Sequence, residues 1–153
     1  MRLVIQRVKE ASVAIDGVVT ASIGQGLAVL AGFGPGDAAP EAMAAITKTL
    51  EKTKDLRIFP DEAGLMNTSL LASGGEWLLV SQFTLYADCR KGRRPSFHAA
   101  CPPEKAEALF SRLCAQAQAM LPGRTQHGVF AANMDIRLVN WGPVTICLDS
   151  EDF

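Results

Sequence analysis

Five consecutive apolar residues, Leu27-Ala28-Val29-Leu30-Ala31, lie between Gly26 and Gly32, and they constrain the fold more than any other stretch of the chain. The run has strand length and no polar alternation, so a strand built from it has to be covered on both faces. It predicts a central strand. Trp77-Leu78-Leu79-Val80 has the same two-sided character. At 153 residues and 48% hydrophobic content, the chain carries enough apolar material for one core, read as a single domain over residues 1–153 that needs no disulfide or metal.

Other elements arrange themselves around these two runs. Residues 2–8 and 12–15 read as extended, and Asp16-Gly17 between apolar flanks is a hairpin signal, because a two-residue primed turn needs positive φ. Asp37 is placed to cap a first helix over about residues 38–53, with Pro40 in its first turn and Met43, Ile46 and Leu50 at helical spacing. Leu56 to Phe59 reads as a short strand closed by Pro60, and residues 65–75 show no period. The stretch Trp77 to Tyr86 reads as extended throughout, with Ser81, Phe83 and Leu85 on one side and Gln82, Thr84 and Tyr86 on the other. A second helix starts at Pro102-Pro103 and ends at Pro122-Gly123, with Ala106, Leu109, Phe110, Leu113, Cys114 and Ala117 on one apolar stripe. Arg124 to Phe130, Met134 to Leu138 and Val144 to Leu148 read as extended. The order predicts an α/β fold, one mixed sheet system with two helices packed on it.

Several chemistries lack the residues they need. Cys89, Cys101, Cys114 and Cys147 form no Cys-x-x-Cys, and no histidine pair completes a zinc site, so they read as reduced thiols of a cytosolic protein. No metal is expected. The glycines around Gly32, Gly34 and Gly36 are too compact for a dinucleotide fingerprint and lack a phosphate-loop lysine, so no cofactor is expected. Only His98 and His127 are available as imidazole bases, and both read more readily as surface or loop residues. The first residues hold an apolar run of three, short of a signal peptide, and no segment approaches a membrane span.

Net charge is −1, so any nucleic-acid contact has to be local, and the candidate is the loop Arg90-Lys91-Gly92-Arg93-Arg94. It can hold phosphates or be a solvated loop. Phe97 beside it can anchor, stack on a base or pack in the core, with core packing the expectation. Ser81, Gln82 and Thr84 have no proton acceptor nearby in sequence, and suit hydrogen-bonding a substrate better than attacking one. Gly142-Pro143 interrupts the last strand, where proline cannot donate to a ladder, so backbone is displayed there. From the residues alone that bond can be cis or trans.

Ser81-Gln82-Phe83-Thr84-Leu85, the following Tyr86-Ala87-Asp88, Lys91-Gly92-Arg93-Arg94-Pro95-Ser96-Phe97, and Asn140-x-Gly142-Pro143-Val144-Thr145 together resemble the D-aminoacyl-tRNA deacylases, and the likeness runs essentially end to end. The resemblance implies a compact α/β unit of packed sheets with helices on one side, assembled as a homodimer. It also implies a cytoplasmic hydrolase that releases D-amino acids, and glycine, from the 3′ terminal adenosine of tRNA without metal or cofactor. Under it Ser81, Gln82, Phe83 and Thr84 line the pocket for that adenosine and the ester. Arg90, Lys91, Arg93 and Arg94 meet the tRNA, and Gly142-Pro143 is cis and excludes L-residues from the other subunit's site. Thr145 as a covalent nucleophile is the rival mechanism. Removal of small mischarged L-residues such as L-alanine, and a non-catalytic module binding the tRNA 3′ end, are the rival functions. Trp141 stands where the family usually has Asp, and Ala132-Asn133 where Gly-Ala or Ala-Asp is more familiar.

Overall fold

Every residue from Met1 to Phe153 is described by the computed structural model. Strand β1, Arg2–Ile15, is fourteen residues long and turns through Asp16 and Gly17, with φ of 49° and 78°, into the antiparallel β2, Val18–Ile23. The apolar run becomes β3, Gly26–Gly32, antiparallel to the first half of β1. Helix α1, Ala42–Asp55, follows, then a small two-stranded sheet of β4, Phe59–Pro60, and β5, Met66–Thr68. Strand β6, Glu76–Ser81, lies parallel to β3; helix α2, Pro103–Met120, leads to β7, Thr125–His127, parallel to β6. Strand β8, Asp135–Asp149, pairs antiparallel with almost all of β1.

The parallel strands run β3, β6, β7 across the sheet in chain order. Two crossovers of the usual right hand that step in one direction leave their helices on the same face. Accordingly Leu27, Val29, Trp77 and Leu79 share one core with Ile46 and Leu50 of α1 and Leu109, Phe110 and Leu113 of α2. Within it Trp77 donates from Nε1 to Thr125 Oγ1 at 2.6 Å, which satisfies the indole N–H where no water reaches. The opposite face, Ala28, Leu78 and Val80, packs against Val8, Val13, Ala21 and Ile23, flanked by Met134, Ile136 and Leu138. The sheet thus folds back over itself into a near-barrel, and both faces of the two apolar runs are covered.

Five local expectations need correction. Residues 2–8 and 12–15 are one strand, because β8 bridges the interval between them. Asp37 does not cap α1: its carboxylate takes the Met1 ammonium at 2.5 Å and the Gly34 N–H at 2.7 Å, and the helix starts four residues later than expected, at Ala42. Of Leu56 to Phe59, only Phe59 is in a strand, and of Arg124 to Phe130 only Thr125–His127. The extended reading of Trp77 to Tyr86 holds to Ser81; Phe83–Tyr86 is a single 3₁₀ turn.

Gly26 is needed for the parallel β3–β6 pairing, since a Cβ there would sit 1.8 Å from the Glu76 carbonyl oxygen. Gly26→Ala is expected to lower stability in urea unfolding by about 3 kcal/mol or more. Gly36→Ala, with open space around the added methyl, should stay within about 0.5 kcal/mol of the parent.

Candidate active site

The ladder runs out at the end of β6, and the chain turns there. Gln82 N–H donates to the Ala31 carbonyl at 2.7 Å, while β7, on the other side of β6, is only three residues long. Gly32 lets the turn come close, because a Cβ on it would lie 2.6 Å from the Gln82 carbonyl oxygen. The 3₁₀ turn that follows is closed by Leu85 N–H to Gln82 and Ala87 N–H to Thr84. No side chain caps its start, and the N–H groups of Phe83 and Thr84 have no acceptor within the chain. Gln82 Nε2 donates to Thr84 Oγ1 at 2.6 Å, so the hydroxyl fixes the amide.

The turn is held from behind by the first residues of the chain. The Arg2 guanidinium lies 4.4 Å over the Tyr86 ring and donates to the Leu85 carbonyl at 3.2 Å. Tyr86 is buried with its hydroxyl 3.4 Å from Asp37 Oδ2; burial first, and the Asp37 charge second, push that hydroxyl well above its usual range. It therefore stays a neutral donor.

A cavity of about 730 Å³ opens where the turn leaves the sheet. Ser81, Gln82 and Phe83 form one wall, Phe97, His98 and Cys101 a second, and Phe130 to Met134 a third. Burial raises the Cys101 thiol, so it faces the cavity protonated and is a poor nucleophile. Of the two histidines His98 reaches the cavity; His127 sits on β7 against Phe110, rings perpendicular at 6.5 Å, with Nδ1 3.0 Å from the Gly128 carbonyl. The third wall was not assigned a role from sequence. Its one sequence signal is Ala132-Asn133, the departure from the family pattern; in the structure Ala131 beside it holds φ of 60°, which an L side chain adopts at a cost of about 1 kcal/mol or more.

Of the basic residues, Arg90 is already engaged. Its Nε and Nη2 bind both oxygens of Asp88 at 2.8 and 2.7 Å, and that fork holds the Asp88 carboxyl well below the usual carboxylate range. Lys91, Arg93 and Arg94 are exposed and enter no ion pair. The loop is a closed hairpin, since Asp88 and Ser96 exchange backbone bonds of 2.8 and 2.9 Å.

Gly142, Pro143 and Thr145 do not line the cavity of their own chain. In the β1–β8 ladder Gln6 faces Thr145 and Val8 faces Asn140, so Trp141 to Val144 bulge out opposite Arg7 alone. The Asn140 side chain closes the bulge, accepting from Val144 N–H at 3.0 Å and donating to Gln6 Oε1 at 2.6 Å. Gly142 and Pro143, joined by a cis peptide bond, are exposed at its tip. Thr145 Oγ1 has Gln6 Oε1 at 3.3 Å and no basic side chain in reach.

Arg7 fills the space beneath. It is 7% exposed, donates to the Trp141 carbonyl at 2.9 Å and to the Ile58 carbonyl, and lies 4.7 Å over the Trp141 ring. Trp141 turns back onto the body of the chain, edge to Phe59 at 6.5 Å. The departure at position 141 thus serves to cover a buried cation. Arg7 was not singled out from sequence, although a charged residue between Leu3-Val4-Ile5 and Val8, at a position that alternates with apolar Leu3 and Ile5, is the signal for it. Arg7→Met strands two carbonyls and is expected to cost about 2 kcal/mol or more in urea unfolding. Arg7→Lys, which lacks the fork to reach both, should recover less than half of that loss.

A model of the D-Tyr-tRNA(Tyr) deacylase family matches residues 4–149. The chain is 61% identical over 153 residues to the D-aminoacyl-tRNA deacylase of Solidesulfovibrio magneticus, covering 99% of this chain and 97% of that protein. It is 54% identical to that of Nitratidesulfovibrio vulgaris, over 99% and 94% of the two chains. Among solved structures it superposes on the c-Myc DNA unwinding element binding protein with a TM-score of 0.88, at 36% identity and over 97% and 98% of the two chains. A probable eukaryotic D-amino acid tRNA deacylase shares the fold at a TM-score of 0.81 and 20% identity, over 96% and 97%.

Proposed function

The chain belongs to the D-Tyr-tRNA(Tyr) deacylase family, and from that membership we propose that it hydrolyses the ester between a D-amino acid, or glycine, and the 3′ adenosine of tRNA. Free amino acid and tRNA leave. The observation that carries this reading is the cavity itself: about 730 Å³, largely apolar, and floored by Ser81, Gln82 and Phe83. That volume suits a nucleoside with a small acyl group.

In this mechanism water attacks the ester carbonyl, the bond to the ribose oxygen breaks, and that oxygen leaves with a proton. The unpartnered N–H of Phe83, a residue that lines the cavity, is available to the developing oxyanion, and one such donor is worth about 3 kcal/mol. Gln82, its amide fixed by Thr84, orients the ester. The ester is activated by its own α-ammonium group, and the vicinal ribose hydroxyl helps activate water, so positioning is the protein's main task. No metal enters this scheme, and the setting is the cytoplasm.

The same proposal assigns Gly142 and Pro143 to the cavity of a second copy in a homodimer, where their backbone leaves no room for an L side chain. Two features support it. The segment is exposed and lies outside its own cavity, and β8, whose only partner is β1, leaves its other backbone edge unpaired along Asp135–Asp149. Lys91, Arg93 and Arg94 would meet tRNA phosphates, with Arg90 shaping the loop.

Ester loss from D-Tyr-tRNA, L-Tyr-tRNA and Gly-tRNA is the test. The D-tyrosyl and glycyl esters should disappear and the L-tyrosyl ester persist. Equal D and L rates remove the chirality filter, a preference for small L-residues such as alanine selects the rival editing function, and no turnover of any ester leaves a binding module. Thr145→Ala should keep its rate within about tenfold, whereas a covalent nucleophile would lose several orders of magnitude.

A further inference from the structure

Phe83 and Phe97 are the exposed aromatic residues at the cavity, 55% and 40% accessible, although Phe97 was expected in the core. The rings meet edge to face at 5.0 Å and 71°. They come from different segments, Phe83 from the turn after β6 and Phe97 from the chain leaving the basic hairpin, one residue past the Asp88–Ser96 bridge. Each therefore holds the other in place, while one face of the pair stays open to solvent. Three to six residues before Phe97, in the same hairpin, are Lys91, Arg93 and Arg94, with no counter-charge of their own.

Three features then belong to this part of the fold: a largely apolar pocket, a pair of exposed rings at its mouth, and, in the hairpin that carries Phe97, three free cations around Gly92, whose φ is 69°. A single-stranded nucleic acid presents the complementary series, a terminal nucleoside, a base stacked behind it, and phosphates alongside. Resting on the function proposed above, we propose that the Phe83–Phe97 pair is a stacking platform for the base of the penultimate nucleotide of the tRNA, with Phe97 as the contacting ring. Stacking needs only a π face, so the platform adds affinity for an RNA end without reading its sequence. The occupant is set by charge: an apolar partner protein has no use for three unpaired cations beside the rings, and a phosphodiester chain does.

The platform binds what a lone nucleoside lacks. The test compares D-Tyr-tRNA with D-tyrosyl-adenosine, which ends at the terminal sugar, for the parent, Phe97→Ala and Phe97→Trp. Phe97→Ala should lower kcat/KM on the tRNA roughly 5- to 150-fold, the span of base–aromatic stacking, through KM and not kcat. On the adenosine ester, where Phe97 acts only as part of the cavity wall, the loss should be at least about fivefold smaller than on the tRNA, and Phe97→Trp should restore tRNA turnover. A tRNA carrying 2-aminopurine at the penultimate position should be quenched on binding the parent and not Phe97→Ala. Equal losses on both substrates, no loss on tRNA, or a changed sedimentation coefficient in Phe97→Ala would each overturn the proposal, the last by making the ring a contact between copies. Should the parent hydrolyse neither ester, the hydrolase reading fails, and the 2-aminopurine signal still decides the platform.

Discussion

The structure depends on the pairing of β1 with β8. Strand β1 has β3 and then β2 on one edge and β8 along the other, so removing it would leave no sheet to cover the second face of the apolar runs. The same ladder is where the backbone leaves regular geometry. Four residues of β8 stand against Arg7, and its buried guanidinium takes the Trp141 carbonyl that the ladder no longer satisfies, with the Ile58 carbonyl as its second partner. A charge in that position is retained only when hydrogen-bonded, so the bulge and Arg7 require each other. The outward display of Gly142 and Pro143 is the outcome.

What was legible from sequence was the part that hydrophobic period decides. The run Leu27–Ala31 and the run Trp77–Val80 are neighbouring strands of the parallel section, the stripe of α2 is buried at Ala106, Leu109, Phe110, Leu113, Cys114 and Ala117, and Asp16-Gly17 turns a hairpin. Period fails where a local interaction overrides it. Alternation continues past Ser81 in the residue types, but the backbone has no partner strand there and closes on itself. Asp37 has the look of a helix cap, but a distant ammonium claims it. Phe97 has the composition of a core residue and stands at the mouth of a cavity that only the tertiary fold creates. Family likeness supplied the motif positions, and the fold adds what motif positions cannot: Arg90 is consumed by Asp88, and Trp141 faces inward onto Arg7.

The proposed site is then divided between two copies of the chain. The cavity, the fixed Gln82 amide and the aromatic mouth belong to one, and the displayed segment of β8 to the other. Such a division explains why the Gly142–Pro143 segment is built so firmly, by Asn140 on one side and Arg7 beneath, while touching nothing in its own cavity. It also places discrimination of the acyl group on a rigid backbone and recognition of the RNA on an exposed hairpin, so each can vary without the other.

Mixed dimers test that division most directly. One copy carries Ala132→Trp, which fills its cavity and leaves its β8 segment intact; the other carries Pro143→Ala and keeps its cavity open. Rejection of L-Tyr-tRNA should be absent in Pro143→Ala homodimers and restored in the mixed dimer, because the open cavity then receives the intact segment of the other copy. L-Tyr-tRNA hydrolysis in the mixed dimer at the full rate per open cavity would show that each cavity is served by its own chain, and would contradict the shared site.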